Sequence, residues 1–161
     1  MYLKRKLSGS LTAFKSQRFN TSRAPLSSNR YEVTVGIGGN IGDVKRRFEH
    51  LLITIQRDTR VDVIKTSLIL KNPPFGFMEQ DDFFNSIVVL KTNMQPKTFL
   101  AYLMKLEKKF GRTRSFENAP RTLDLDIIFF DNRIIETNKL TIPHPEWFKR
   151  ESVVIPLASI K

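Results

Sequence analysis

Apolar and polar residues alternate most strictly from Leu123 to Ile127, where LDLDI switches at every position before running apolar through Ile128, Phe129 and Phe130. A period of two predicts a β-strand. Further strands are predicted for Glu32–Ile37 (EVTVGI), Val61–Leu70 and Phe83–Leu90 (FFNSIVVL). After Asp43 the period becomes helical. Val44, Phe48, Leu51, Leu52 and Ile55 share a stripe, and Asp43 is suited to cap its first turn. Phe99, Leu103, Leu106 and Phe110 line a second helix that Pro96 starts and Gly111 ends. Residues 72–77, NPPFGF, are predicted irregular because two prolines and a glycine interrupt them. Ile134–Ile142 reads as a hairpin or edge strand. The order β-α-β-β-α-β is the ferredoxin-like, split β-α-β plan. It is an α+β fold with a mostly antiparallel four-stranded central sheet, helices on one face and an extra C-terminal hairpin. That plan serves many unrelated activities, so it leaves the chemistry open.

Composition narrows the picture. At 161 residues and 40% apolar the chain has the size and core of one domain. It has no cysteine, which excludes disulfides and thiolate metal sites. No apolar run approaches the roughly 20 residues of a membrane span, and there is no secretory-type apolar core. A soluble, cytoplasmic protein is expected. The net charge of +11 is uneven: residues 1–30 hold seven basic and no acidic residues, against twenty and sixteen in the remainder. This Ser/Thr-rich head, 1–30, is expected to be a basic, disordered N-terminal extension. A targeting presequence and a nucleic-acid or membrane tether are the other readings.

The chemistry centres on Asp124 and Asp126, which share a strand face with Cα atoms roughly 6–7 Å apart. Either they are solvated, or, on a strand otherwise largely buried, they require cations. Two carboxylates suit Mg²⁺, which keeps waters and substrate phosphates as its other ligands. Zinc lacks a His/Cys set here. Arg112, Arg114 and Arg121 flank the pair with Lys108 and Lys109, as a solvated basic face or as the cations that phosphoryl transfer requires. The polar loop 111–119 is long enough to act as a lid. GGN, Gly38 to Asn40, reads as an ordinary left-handed turn, since it is neither a Walker A loop nor GxGxxG. Phe83 and Asn85 share a strand face, either as a core ring and a capped amide or as a seat for a flat heterocycle. His144 and Arg150 lie in one loop and could reach a phosphate.

In order and spacing IGGN, NPPFG, QDDFFNS, LEKKFGRTR, PRTLDLDI and IPHP, then an arginine and PL, closely resemble the 6-hydroxymethyl-7,8-dihydropterin pyrophosphokinase family over about Tyr31 to Leu157. The resemblance implies one pyrophosphokinase domain over 31–161. It implies transfer of pyrophosphate from ATP to the pterin hydroxymethyl group in folate biosynthesis, with AMP leaving. Asp124 and Asp126 would hold two Mg²⁺ ions and, with Arg112 and Arg121, form the catalytic set. Glu107, Arg112, Arg114, Arg121, Ile127, Lys139, Thr141, His144 and Arg150 would bind the nucleotide. Asn72, Pro73, Pro74, Phe75, Phe83 and Asn85 would form the pterin pocket, Phe83 standing where the family often has tyrosine. The partners would be these two small molecules alone, with no nucleic acid and no membrane, and the enzyme a monomer. Ser152 departs from the pattern, for the family usually has an aromatic there that stacks on the pterin's second face; Trp147 or Phe148 would be its replacement. Asn118 takes the place of a loop tryptophan of some members, and Met104 that of a polar residue near the adenine. Two other readings are an RNA-binding module on the same fold and a different metal-dependent phosphotransferase or nuclease. Acids on the sheet argue against the first. The Phe83–Asn85 face argues against the second.

Overall fold

In the computed structural model, which describes residues 1–113 and 116–161, the alternating stretch lies in a sheet whose every strand pairing is antiparallel. Its members are β1 (Leu3–Lys6), β2 (Thr12–Lys15), β3 (Tyr31–Gly39), β4 (Val61–Thr66), β5 (Ile69–Asn72), β6 (Phe83–Thr92) and β7 (Asp124–Phe130). Strand order is β1-β2-β5-β6-β3-β7, with β4 also paired to β6. Helices α1 (Val44–Gln56) and α2 (Pro96–Lys109) provide the two crossovers, and a small hairpin, β8 (Ile135–Glu136) with β9 (Thr141–Ile142), follows β7. Asp43 caps α1 by accepting the Arg46 N–H at 3.2 Å, as its position predicts.

Alternation decides what each sheet face meets. Val33, Val35, Ile37, Val88, Leu90, Leu125 and Ile127 join Phe48, Leu51, Leu52, Phe99 and Leu103 in one core beneath α1 and α2. Their neighbours on the opposite face, Ile87 and Ile128, pack on Val153. Val153 belongs to α3 (Glu151–Ala158), a helix the spacing does not predict. The expected four-stranded sheet is therefore present with its two crossover helices on one face, and α3 half-covers the other.

Three details differ from expectation. Residues 1–30 are not loose: β1 and β2 form a hairpin, β2 pairs with β5, and Phe19 is fully buried against Phe48. Their apolar residues are too few for a pattern of their own, yet they complete surfaces supplied by distant strands. The expected strand Val61–Leu70 is broken at Ser67, where a side chain replaces a ladder partner. The Ile87 N–H donates to Ser67 Oγ at 2.7 Å, and Ser67 and Ser86 share a buried hydroxyl contact at 2.8 Å. Lastly, Gly38 and Gly39 end β3 rather than forming a left-handed turn; the positive φ, +72°, belongs to Gly42. Gly39 is there for space. A Cβ on it would meet the Thr122 carbonyl oxygen at 2.6 Å, backbone that cannot step aside. Gly39→Ala is expected to cost about 2–3 kcal/mol, read from the urea midpoint.

Candidate active site

On β7, Asp124, Asp126 and Ile128 all point away from the helical core, and on β6 so do Phe83, Asn85 and Ile87. Between these strands runs β3, which places Gly38 opposite both Asn85 and Asp124, and Gly36 opposite Ile87 and Asp126. Two glycines thus make a floor without side chains between an amide–aromatic wall and a carboxylate wall, about 10 Å apart at two strand spacings. A Cβ on Gly38 would meet Asn85 Oδ1 at 2.6 Å. The cavity over this floor is also lined by His144, Arg150, Ser152 and Val153 and by Asn72, Phe75 and Asn118.

The carboxylate wall is asymmetric. Arg112 Nη1 pairs with Asp124 Oδ1 and donates to Glu107 Oε2 at 2.8 Å; Arg121 Nη1 donates to Asp124 Oδ2 at 3.0 Å. Glu107, buried on α2, also accepts the Leu125 N–H at 2.9 Å, which fixes the cluster to the backbone of β7. Burial works against the Arg112 charge, but Asp124 and Glu107 outweigh it and raise its pKa. Asp126 has no hydrogen bond or ion pair among the described residues. Burial foremost, then the charges of Asp124 and Glu107, push its carboxyl up to about 7. Burial and Arg150 lower the His144 pKa, favouring the neutral ring.

A divalent cation fits this wall on its donor chemistry. The donors are all oxygen, and Asp126 is a carboxylate lacking the cation that Asp124 has in its arginines. Among the described residues no group of three or more His, Asp or Glu gathers, so a metal here would complete its shell with waters and ligand oxygens.

The opposite wall is braced. Asn85 Nδ2 donates to Asn72 Oδ1 at 2.7 Å, and Asn72 Nδ2 to the Pro73 carbonyl at 3.0 Å. Guanidinium groups already lie over its rings: Arg121 over Phe83 at 5.3 Å and Arg150 over Phe75 at 5.2 Å. Trp147 packs edge-on against Phe129 and Phe148 instead of entering the cavity, and Phe148 is largely exposed, so neither replaces the aromatic absent at Ser152.

Nine of the expected residues therefore share one cavity: Asn72, Phe75, Phe83, Asn85, Arg121, Asp124, Asp126, His144 and Arg150. Arg112 and Glu107 stand behind Asp124. Ile127 turns into the helical core, and within the 72–77 loop Pro74 is buried and Pro73 half-buried. Lys139 and Thr141 lie on the β8–β9 hairpin, and Met104 is exposed on α2. Arg114 lies outside the described residues.

Sequence reasoning missed Gly36, Gly38 and a set of loop amides. The Asn40 N–H donates to the Arg121 carbonyl, and Asn40 Oδ1 accepts the Arg121 N–H, both at 3.0 Å. Asn40 Nδ2 donates to Gln80 Oε1 at 2.8 Å, and Gln80 Nε2 donates to the carbonyls of Phe77 (2.6 Å) and Asn118 (2.9 Å). Three loops distant in sequence are so tied around the cavity mouth, with Phe77 and Phe116 edge-to-face at 5.3 Å. The one signal was GGN itself.

Comparison with known proteins gives the family. Residues 34–161 match the family described as 7,8-dihydro-6-hydroxymethylpterin-pyrophosphokinase. The 2-amino-4-hydroxy-6-hydroxymethyldihydropteridine pyrophosphokinase of Helicobacter pylori is 39% identical over 133 residues, 81% of this chain and 80% of that protein. Its namesake in Campylobacter jejuni is 38% identical over 146 residues, 91% and 93% of the two chains. The folic acid synthesis protein FOL1 of Dictyostelium discoideum is 31% identical over 156 residues, 95% of this chain but 23% of that longer one. The latter two matches extend into residues 1–30.

Proposed function

The chain belongs to the 7,8-dihydro-6-hydroxymethylpterin-pyrophosphokinase family, and from that premise we propose how its cavity divides the work of the reaction. It is an ATP-using pyrophosphokinase of folate biosynthesis, which moves pyrophosphate to the hydroxymethyl group of 6-hydroxymethyl-7,8-dihydropterin and leaves AMP. The observation that carries the division is the row Asn85–Gly38–Asp124 across three strands. A heterocycle held at the Asn85 end points a substituent over bare glycine floor toward phosphates held at the Asp124 end.

In this reading Asn72, Phe83 and Asn85 seat the pterin. The amides hydrogen-bond its edge and Phe83 covers one face once Arg121 swings toward phosphate. Pro73 and Pro74 stiffen the loop and Phe75 stands at the mouth. Arg112 and Arg121 grip the transferring phosphates. Glu107 holds Arg112 at the correct depth. His144, Arg150, Lys139, Thr141, the backbone at Ile127 and Arg114 serve the nucleotide. Asp124 and Asp126 would hold two Mg²⁺ ions, which when bound neutralise charge on the phosphate oxygens. The hydroxymethyl oxygen attacks the β-phosphorus of ATP directly, so the chain supplies positioning and charge and no covalent nucleophile. We assign a cytoplasmic monomer acting on small molecules, not nucleic acid; among the described residues no helix is long and apolar enough to cross a membrane.

The test is AMP release from ATP and Mg²⁺ with and without the dihydropterin. AMP is expected only with the pterin, and ADP in its place would refute the reading. Asn85→Ala is expected to raise the pterin KM about ten-fold or more, with the ATP KM little changed.

A further inference from the structure

The head contributes no residue to the cavity, yet it holds two elements that flank the cavity's heterocycle side, β5 and α3. β2 lies along β5, with Thr12 opposite Lys71, Ala13 opposite Leu70 and Phe14 opposite Ile69. Asn72, which braces Asn85, ends that strand. On the face that carries the cavity, Leu11 and Ala13 pack with Leu68, Leu70 and the Ile155 side chain of α3. Past β2 the chain turns at Asn20, φ +69°, whose Nδ2 donates to the carbonyl oxygen of Ser159, the C-cap of α3, at 2.8 Å. Ser22 Oγ donates to the Lys161 carbonyl at 3.4 Å, and the Leu68 N–H donates to Ser159 Oγ at 3.0 Å.

Helix α3 depends on such support. It has eight residues with Pro156 inside, too short and too interrupted to hold itself. Its N-terminal end brings Arg150, Ser152 and Val153 to the cavity. A serine at 152 has no ring to lodge against the bound heterocycle, so packing behind α3 must set that wall. The phosphate-side cluster on β7 lies at the other edge of the sheet from the head.

We infer that residues 11–22 are a positioning strap for the pterin half of the site. By fixing β5 and α3 they set where Ser152 and Val153 stand relative to Asn72 and Asn85, whereas Arg150 keeps its own anchor over the Phe75 ring at 5.2 Å and the Asp124 cluster on β7 is untouched. This rests on the assignment of the Asn72–Phe83–Asn85 wall as the heterocycle's seat.

Two substitutions in the full chain separate the strap from a general stability effect. Asn20→Gly keeps the left-handed backbone and removes the bond to Ser159. Leu11→Ala removes packing from Ile155. Together they are expected to raise the dihydropterin KM about five-fold or more, while the ATP KM and kcat at saturating pterin stay within about two-fold. Leu11→Met with Asn20 retained is expected to keep the wild-type pterin KM. Circular dichroism and the thermal midpoint report folding. Should the double variant fail to fold, Asn20→Gly alone is read the same way, with about a two- to three-fold rise expected in the pterin KM only. A parallel rise in both KM values, or an unchanged pterin KM in a folded variant, overturns the strap. A wild type that releases no AMP on adding dihydropterin overturns instead the assignment beneath it.

Discussion

Asp126→Asn is expected to lower AMP formation by about 10³-fold or more while making the metal-free protein more stable at pH 8. Both effects come from one carboxylate. Asp126 sits where burial and the charges of Asp124 and Glu107 oppose its ionisation, with its pKa raised from 3.8 to about 7. A carboxyl raised on folding contributes stability that is fully present below its unfolded value near 4 and is lost as pH climbs through about 7. At pH 8 the metal-free protein therefore carries an uncompensated anion, costing on the order of 2 kcal/mol after allowance for its partial exposure. Asparagine removes that cost together with the cation ligand. Urea midpoints at pH 5 and pH 8 without Mg²⁺ should converge in the variant and diverge in the wild type. Mg²⁺ should restore the wild type at pH 8 and do nothing for the variant. Retention of more than about a tenth of the wild-type rate would remove Asp126 from the reaction.

Arg121→Ala should be the second-largest loss, about 10²–10³-fold in kcat with a small change in pterin KM. Its guanidinium pairs with Asp124 at 3.0 Å and stacks on Phe83 at 5.3 Å, and its backbone is clamped on both sides by Asn40. The side chain thus bridges the two walls from a rigid base. Arg121→Lys should recover little, because an ammonium can neither fork to two phosphate oxygens nor stack flat on the ring. Arg112 remains to shield Asp124, so the alanine variant should fold. A drop confined to the pterin KM would reassign Arg121 to the heterocycle.

Much of this site was legible because strands announce their faces. The alternation of LDLDI put Asp124 and Asp126 side by side, and that of Phe83–Asn85–Ile87 put ring and amide together, before any coordinates. What stayed hidden depends on partners remote in sequence. TAFK is too short to stand out, yet β2 forms because β5 offers it an edge and α3 offers its side chains a cover. ESVVIPLA shows no helical stripe and contains a proline, so α3 is held by tertiary packing. Ser67 breaks a strand because a serine 19 residues on takes its hydroxyl. Gly38 and Gly39 resemble turn formers, whereas here the missing Cβ matters for what lies opposite. The Asn40–Gln80 contact joins loops 40 residues apart and leaves no periodic trace.

The outermost strand, β1, has one edge open to solvent and presents Leu3, Lys4, Arg5 and Lys6, all exposed. An open edge is a template onto which another molecule's strand can be added. Two copies meeting there would bring three cations against three, with a repulsion that reaches about 8 Å at physiological ionic strength and about 3 Å at molar salt. The same head whose residues 11–22 shape the pterin wall therefore also guards the sheet, through β1, against growing from molecule to molecule. That guard is electrostatic, so concentrated salt or an acidic polymer would lift it without disturbing a single residue of the cavity.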